Sequence, residues 1–164
     1  MDGLEKAYLA GRVARCGKGF TLLDLMLTVV IASLLLSIAV PSYDRYVQRA
    51  KVTAARGHIA SLSLKLEEFR LNNDNALPAT LDELPMDIPL DPWGRPYAYL
   101  NILTADPGKG ALRKDGKLNP LNTDFDLYSK GRDGESKPPL NAKASRDDVV
   151  RANNGAFIGL GEDY

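Results

Sequence analysis

The sequence predicts an α+β fold in which one long amino-terminal helix packs on a small antiparallel sheet. Three features carry that expectation. Residues 25–40, LMLTVVIASLLLSIAV, run for sixteen positions without a charge. Apolar residues then recur at helical spacing to about residue 73. From residue 76 the texture changes to short segments broken by proline, glycine and aspartate.

Composition bounds what such a chain can do. Its 164 residues suit one ordinary domain. The 21 basic and 21 acidic side chains cancel, and a pI near 6.6 gives no electrostatic case for a nucleic-acid partner. At 26% charged and 45% hydrophobic it is not a disordered tail. The single cysteine, Cys16, excludes an internal disulfide framework and a multi-thiolate zinc site. The single histidine, His58, likewise excludes a histidine-rich metal centre.

The first element is the apolar run. Residues 1–19 before it are polar, with Asp2, Glu5, Lys6, Arg12, Arg15 and Lys18 and no apolar stretch. Residues 20–40 are then apolar or small, interrupted only by Asp24. As a helix they span roughly 31 Å, close to the hydrocarbon core of a bilayer. A secretory signal cut at Ser37-Ile38-Ala39 is a competing reading, but the run exceeds a usual signal core. A lipoprotein signal ending at Cys16 has nothing apolar upstream. Asp24 is the anomaly, because a carboxylate inside a membrane helix is costly without a partner. Nothing within the run is basic. A free α-amino group, created by a cut between Gly19 and Phe20, is one candidate.

Lys18-Gly19-Phe20-Thr21-Leu22-Leu23-Asp24-Leu25-Met26 resembles the processing site of type IV pilins and type II secretion pseudopilins. The resemblance implies that a prepilin peptidase/methyltransferase cuts after Gly19 and methylates the new amino terminus at Phe20. It also implies an assembly role for Asp24, which stands where the family normally has glutamate, through a neighbouring subunit's amine. Pro41 stands where the family commonly has a proline. Loss of residues 1–19 leaves 17 basic against 19 acidic side chains, net about −2, and no cysteine. Charge does not orient the span: the leader is net +2, but Asp44, Arg45, Arg49, Lys51 and Arg56 give +3 on the other flank. A single pass through a bacterial inner membrane, with the carboxy-terminal domain periplasmic, is what the resemblance implies.

Past Pro41, which should kink or loosen the helix, two apolar stripes can be drawn at about 100° per residue. Tyr43, Tyr46, Val47, Ala50 and Ala54 share one face, to which Leu64 and Leu71 return. Ala55, Ile59, Leu62, Leu66 and Phe69 share another, rotated by roughly 120°. Two stripes suggest two partners, the protein's own globular domain and neighbouring helices; the competing reading is one wide stripe buried in a compact domain. His58 falls between the stripes as a partly exposed structural residue, and Asn72-Asn73-Asp74-Asn75 is the stop signal. The organisation expected is a leader at 1–19, a transmembrane and assembly helix at 20–41, an amphipathic helix at 42–75 and a globular β domain at 76–164.

In that domain Thr80-Leu81-Asp82-Glu83 reads as a capping box opening a one-turn helix, closed by Pro85. Residues 97–100 have strand composition. Asp115-Gly116 reads as a hairpin-like turn between 111–114 and 117–121. Residues 125–129 form a strand, 135–146 with Pro138-Pro139 a loop, and 156–160 a last short strand. Trp93, Tyr97, Tyr99, Phe125 and Tyr128 are expected to supply much of the core.

Asp91-Pro92-Trp93-Gly94-Arg95-Pro96-Tyr97 resembles a segment of major pseudopilins, and Phe125-Asp126-Leu127-Tyr128-Ser129-Lys130-Gly131-Arg132-Asp133-Gly134 resembles their strand and turn. In that group the following loop binds calcium through the aspartate of the turn, two adjacent aspartates downstream and backbone carbonyls. Asp133 matches the first and Asp147-Asp148 match the pair, across a longer loop. Ordering that loop costs conformational entropy, and neither a disulfide nor a large core is expected to offset it, so a calcium ion is the expected stabiliser.

No enzyme is expected. His58 is remote in sequence from any plausible nucleophile, and Gly108-Lys109-Gly110 lacks the strand–helix context of a phosphate loop. Paired acids such as Asp82-Glu83 are more commonly solvated than catalytic. The resemblance implies a major-pseudopilin-like structural subunit that homopolymerises through its amino-terminal helix. It would form a type II secretion pseudopilus with minor pseudopilins on an inner-membrane assembly platform and drive protein export across the outer membrane. The alternative is a type IV pilin forming a surface filament for adhesion, motility or DNA uptake. Many such pilins close a carboxy-terminal loop with a disulfide, whereas residues 20–164 hold no cysteine. A third reading is a membrane-anchored periplasmic binding module that never polymerises.

Overall fold

A computed structural model of the protein describes residues 19–103, 108, 110–116 and 118–164. Residues 1–18 of the expected 1–19 leader, with Cys16 and Lys18, lie outside the described residues, as do Lys109 and Lys117. The chain divides into two compact units, Met1–Ser42 and Tyr43–Tyr164. One helix, α1 at Leu22–Asn72, contributes to both.

In the first unit every described helical residue is exposed, and the helix is long and apolar enough to cross a membrane. Its hydroxyls turn back on their own backbone. Thr28 Oγ1 donates to the Leu25 carbonyl at 2.8 Å, Ser37 Oγ to Leu34 at 2.7 Å, and Ser33 Oγ to Val29. Such bonds satisfy polar groups that hydrocarbon cannot. Helical structure continues through Pro41, although the missing amide leaves the Ser37 carbonyl without its usual backbone donor.

In the second unit α1 buries a single line, Ala55, Ile59, Leu62 and Leu66, at alternating spacings of four and three residues. It packs on a four-stranded antiparallel sheet in the order β1 (Ala98–Asn101), β2 (Phe125–Ser129), β3 (Val149–Ala152), β4 (Phe157–Leu160). Phe125, Leu127 and Val149 face the helix, joined by Leu77, Leu81, Leu84 and Tyr97. The opposite sheet face is also covered, by a smaller cluster of Leu121, Leu140, Val150 and Ala152 with Tyr128 and Phe157 against it. Phe125 and Tyr97 are buried, but Trp93, Tyr99 and Tyr128 only partly so; the core is more aliphatic than expected.

Strand β3 has no counterpart in the sequence-based expectation. All four of its residues are buried, so the polar–apolar alternation that marks a half-buried strand is absent. It also carries Arg151, whose guanidinium lies 3.9 Å from the centre of the Phe125 ring and pairs with Asp124 at 2.6 Å. Helix α1 ends where expected. Asp74 and Asn75 take positive φ, and the Asn75 amide donates to the Arg70 carbonyl at 3.0 Å.

Two local expectations need correction. The one-turn helix forms as a 3₁₀ turn at Leu81–Glu83, but Thr80 makes no side-chain cap; Glu83 Oε2 accepts instead from the Ala79 amide at 3.2 Å. At Asp115-Gly116 the turn closes through paired Asp115 and Leu118 backbone bonds, yet its flanks form only isolated bridges. Beyond the turn, among the described residues, only the Leu121 amide bonds back, to the Arg113 carbonyl; Lys114 bridges Pro139 instead, and Pro120 withholds a donor that a hairpin ladder needs. The loop at 135–146 includes a further 3₁₀ turn, Lys143–Ser145.

The two faces of the helix should respond differently to truncation. Leu62→Ala, at a fully buried position, should cost about 2–5 kcal/mol. Leu64→Ala, 72% exposed, should stay within about 0.5 kcal/mol. Thermal melting of the full chain in detergent reads both.

Candidate assembly face and carboxy-terminal loop

Each half of the expected site can be located. Gly19 and Phe20 are exposed at the start of the described chain, directly before α1. Asp24 sits in the first turn of α1 and makes a local reciprocal cap. Its Oδ2 accepts from the Thr21 amide at 3.0 Å and the Thr21 hydroxyl at 2.8 Å. The Asp24 amide in turn donates to Thr21 Oγ1 at 3.2 Å. Sequence reasoning looked for a cation and overlooked this cap, although the signal, Thr-x-x-Asp ahead of an apolar run, was in view.

The first stripe stays uncovered except at Val47, which is half-buried. Tyr43, Tyr46, Leu64 and Leu71 are 71%, 72%, 72% and 79% exposed, and Ala50 and Ala54 are exposed too. The second stripe is the buried line of α1, with Phe69 packed at its margin. A single wide buried stripe is therefore excluded. Large apolar side chains held in water along one helix face mark a surface for a partner. His58, between the stripes, is half-buried with Nδ1 2.9 Å from the Tyr97 hydroxyl, in a structural setting.

The three aspartates of the loop do not converge. Asp133 Oδ1 accepts from the Glu135 amide at 2.8 Å, closing its own turn. Asp147 comes to the same turn, its Oδ2 accepting from the Arg132 and Asp133 amides at 2.8 and 3.0 Å. Asp148 faces elsewhere and is fully buried. Its Oδ2 takes Arg113 Nη2 at 2.7 Å and the Ser136 hydroxyl at 2.6 Å. Burial pushes the Asp148 carboxyl above its ordinary range, while the Ser136 bond and the Arg113 charge oppose that rise. Among the described residues no three acidic, histidine or cysteine side chains are grouped to hold a metal ion. The donor set as arranged does not fit a calcium ion, which needs six to eight oxygens at about 2.3–2.6 Å.

Arginines that sequence reasoning passed over fill the polar gaps. Arg113 also donates from Nη1 to Ser136 at 2.6 Å and lies 4.1 Å from the centre of the Tyr128 ring. Its amide donates to Asp126 Oδ2 at 3.0 Å, and Asn122 donates to Asp126 Oδ1 at 2.8 Å. Asp126 is raised above the usual carboxylate range by burial. Arg95 donates to the carbonyls of Gly131 at 2.7 Å and Arg132 at 3.2 Å.

No protein-family model matches the chain, and no solved structure matches it. Individual proteins do. The chain is 32% identical to the type II secretion system core protein G of Pseudomonas aeruginosa over 138 residues, 71% of this chain and 84% of that one. It is 32% identical to the protein of the same description from Aeromonas hydrophila, over 72% of this chain and 85% of the relative. A fimbrial protein of Neisseria meningitidis is 34% identical over 82% of this chain and 83% of its own.

The turn at Gly131 gives a direct check on the loop geometry. A Cβ there would lie 2.1 Å from the Asp147 carbonyl oxygen, at a φ of +61°. Gly131→Ala should therefore cost well over the roughly 1–2 kcal/mol of a left-handed conformation alone. Gly94→Ala, also at positive φ but with nothing within 4 Å, should cost only that smaller amount. Comparison of the two melting temperatures decides it.

Proposed function

Because the chain belongs to the family of the type II secretion system core protein G, we propose that it is the pilin-like structural subunit of a type II secretion pseudopilus. In this reading a prepilin peptidase removes residues 1–19 and methylates Phe20. The apolar half of α1 anchors the subunit in the inner membrane with the carboxy-terminal domain in the periplasm. Subunits then assemble on an inner-membrane platform with minor pseudopilins, and the growing filament drives export across the outer membrane. The single observation that carries the proposal is the first apolar stripe of α1, left exposed while the second is buried against the sheet and the first unit's helix is exposed throughout. A helix with one line buried at home and another in solvent suits a subunit whose remaining partners are copies of itself.

A second reading, a type IV pilin in a surface filament, has the fimbrial relative in its favour. Deletion of the gene separates the two: loss of exported proteins from the medium supports the pseudopilus, and loss of surface filaments the pilus.

Intact-mass analysis of membrane-extracted protein should find a chain beginning at methylated Phe20; cleavage after Ala39, or none, would contradict the processing step. Single cysteines at Tyr46 and Ala50 should crosslink between subunits, and absence of adducts would leave a non-polymerising module. Asp24→Ala should insert but fail to enter those adducts. Thr21→Ala, which removes only the capping hydroxyl, should still assemble. If Asp24→Ala crosslinks like the parent, the carboxylate serves the cap alone. Asp24→Glu, one methylene longer, should be tolerated.

A further inference from the structure

We propose that two guanidinium groups, those of Arg113 and Arg95, hold the carboxy-terminal loop in the place of the calcium ion that the family resemblance implies. The ligands implied for the ion are the three aspartates and backbone carbonyls of the loop region. Each class is already met by an arginine. Arg113 Nη2 lies 2.7 Å from Asp148 Oδ2, with both side chains almost wholly buried. Arg95 reaches the Gly131 and Arg132 carbonyls, and packs so tightly on the turn that a Cβ at Gly134 would lie 2.5 Å from its guanidinium carbon. A divalent ion at Asp148 would have to displace Arg113 or sit beside it, with two cations sharing one carboxylate away from water.

The loop is also anchored without an ion. Leu140 is 1% exposed in the cluster beneath the sheet. Lys114 exchanges backbone bonds with Pro138 and Leu140, both at 3.0 Å. Ser145 Oγ donates to the Lys137 carbonyl at 2.7 Å and accepts from its amide at 2.9 Å, closing the loop on itself. Arg113 joins these anchors, since Ser136 and Asp148 both touch it and it rests on Tyr128. A planar fork suits this role, because it satisfies two acceptors at once while its flat face covers an aromatic ring. Asp148 Oδ1 is buried without a partner, and one free oxygen falls far short of a calcium shell.

The test is thermal melting and limited trypsin digestion of the full chain in detergent, with excess calcium and then with chelator. The parent protein should melt within about 1 °C in the two conditions. Arg113→Gln, which strands the buried carboxylate, should lower the melting temperature by roughly 10 °C. Arg113→Gln and Arg95→Gln should each speed cleavage within residues 135–146, after Lys143, by about tenfold or more. Should Arg113→Gln fail to fold, Ser136→Ala removes one donor to Asp148 and one acceptor of Arg113 while leaving their ion pair, and should lower the melting temperature by about 2–4 °C. A calcium-dependent rise of several degrees in the parent, lost in Asp148→Asn, would overturn the proposal. So would melting and cleavage of both arginine variants at the parent's values.

Discussion

Burial of Ala55, Ile59, Leu62 and Leu66 against Phe125, Leu127 and Val149 ties the sequence-local helix to the non-local sheet. The four helical positions lie on one narrow line, so the sheet can cover them without wrapping the helix. Much of the remaining helix surface is left exposed, including the aromatic pair Tyr43 and Tyr46. Had the buried line been broad, the chain would have closed on itself and presented no apolar face. The narrow contact makes the domain stable while leaving it incomplete.

The other sheet face follows a different rule. The helix side is apolar apart from Arg151, which lies over Phe125, while the far side mixes Leu121, Leu140 and Val150 with the buried charge of Arg113, which lies over Tyr128. Arg113 with Asp148 and Arg151 with Asp124 are buried ion pairs, each guanidinium lying over an aromatic ring. Such pairs add little net stability over well-packed apolar groups, but breaking one is costly, so they penalise alternative arrangements of the loops they join. The small apolar cluster around Leu140 gives the region a core of its own, which offsets part of the loop's entropy.

Legibility of this structure in the sequence tracked the range of the interaction. Strand β2 was read to the residue and β4 to within one, since alternation and turn residues are local signals. Both stripes of α1 were legible for the same reason, as was the stop at Asn72. β3 was missed because burial on both faces removes alternation and because Arg151 looks like a surface residue until Asp124 is placed beside it. The loop was only half legible. Asp133 and Asp147 do meet at one turn, but Asp148 is claimed by Arg113, 35 residues away, and the turn's carbonyls by Arg95, 36 and 37 residues away. No local pattern marks an arginine as the partner of so distant an acceptor.

The inward-turned hydroxyls of the apolar span have a mechanical consequence. With Thr28, Ser33 and Ser37 each bonded to a carbonyl of their own helix, these side chains spend their donors at home. A neighbouring helix lying along this surface meets mainly dispersion contacts, which are individually weak and carry no direction. Contacts of that kind oppose separation far more than they oppose sliding, so the span behaves as a greased rod rather than a ratchet. In the proposed filament, longitudinal registration would then fall to the few directional groups, among them the carboxylate of Asp24 at the end of the rod.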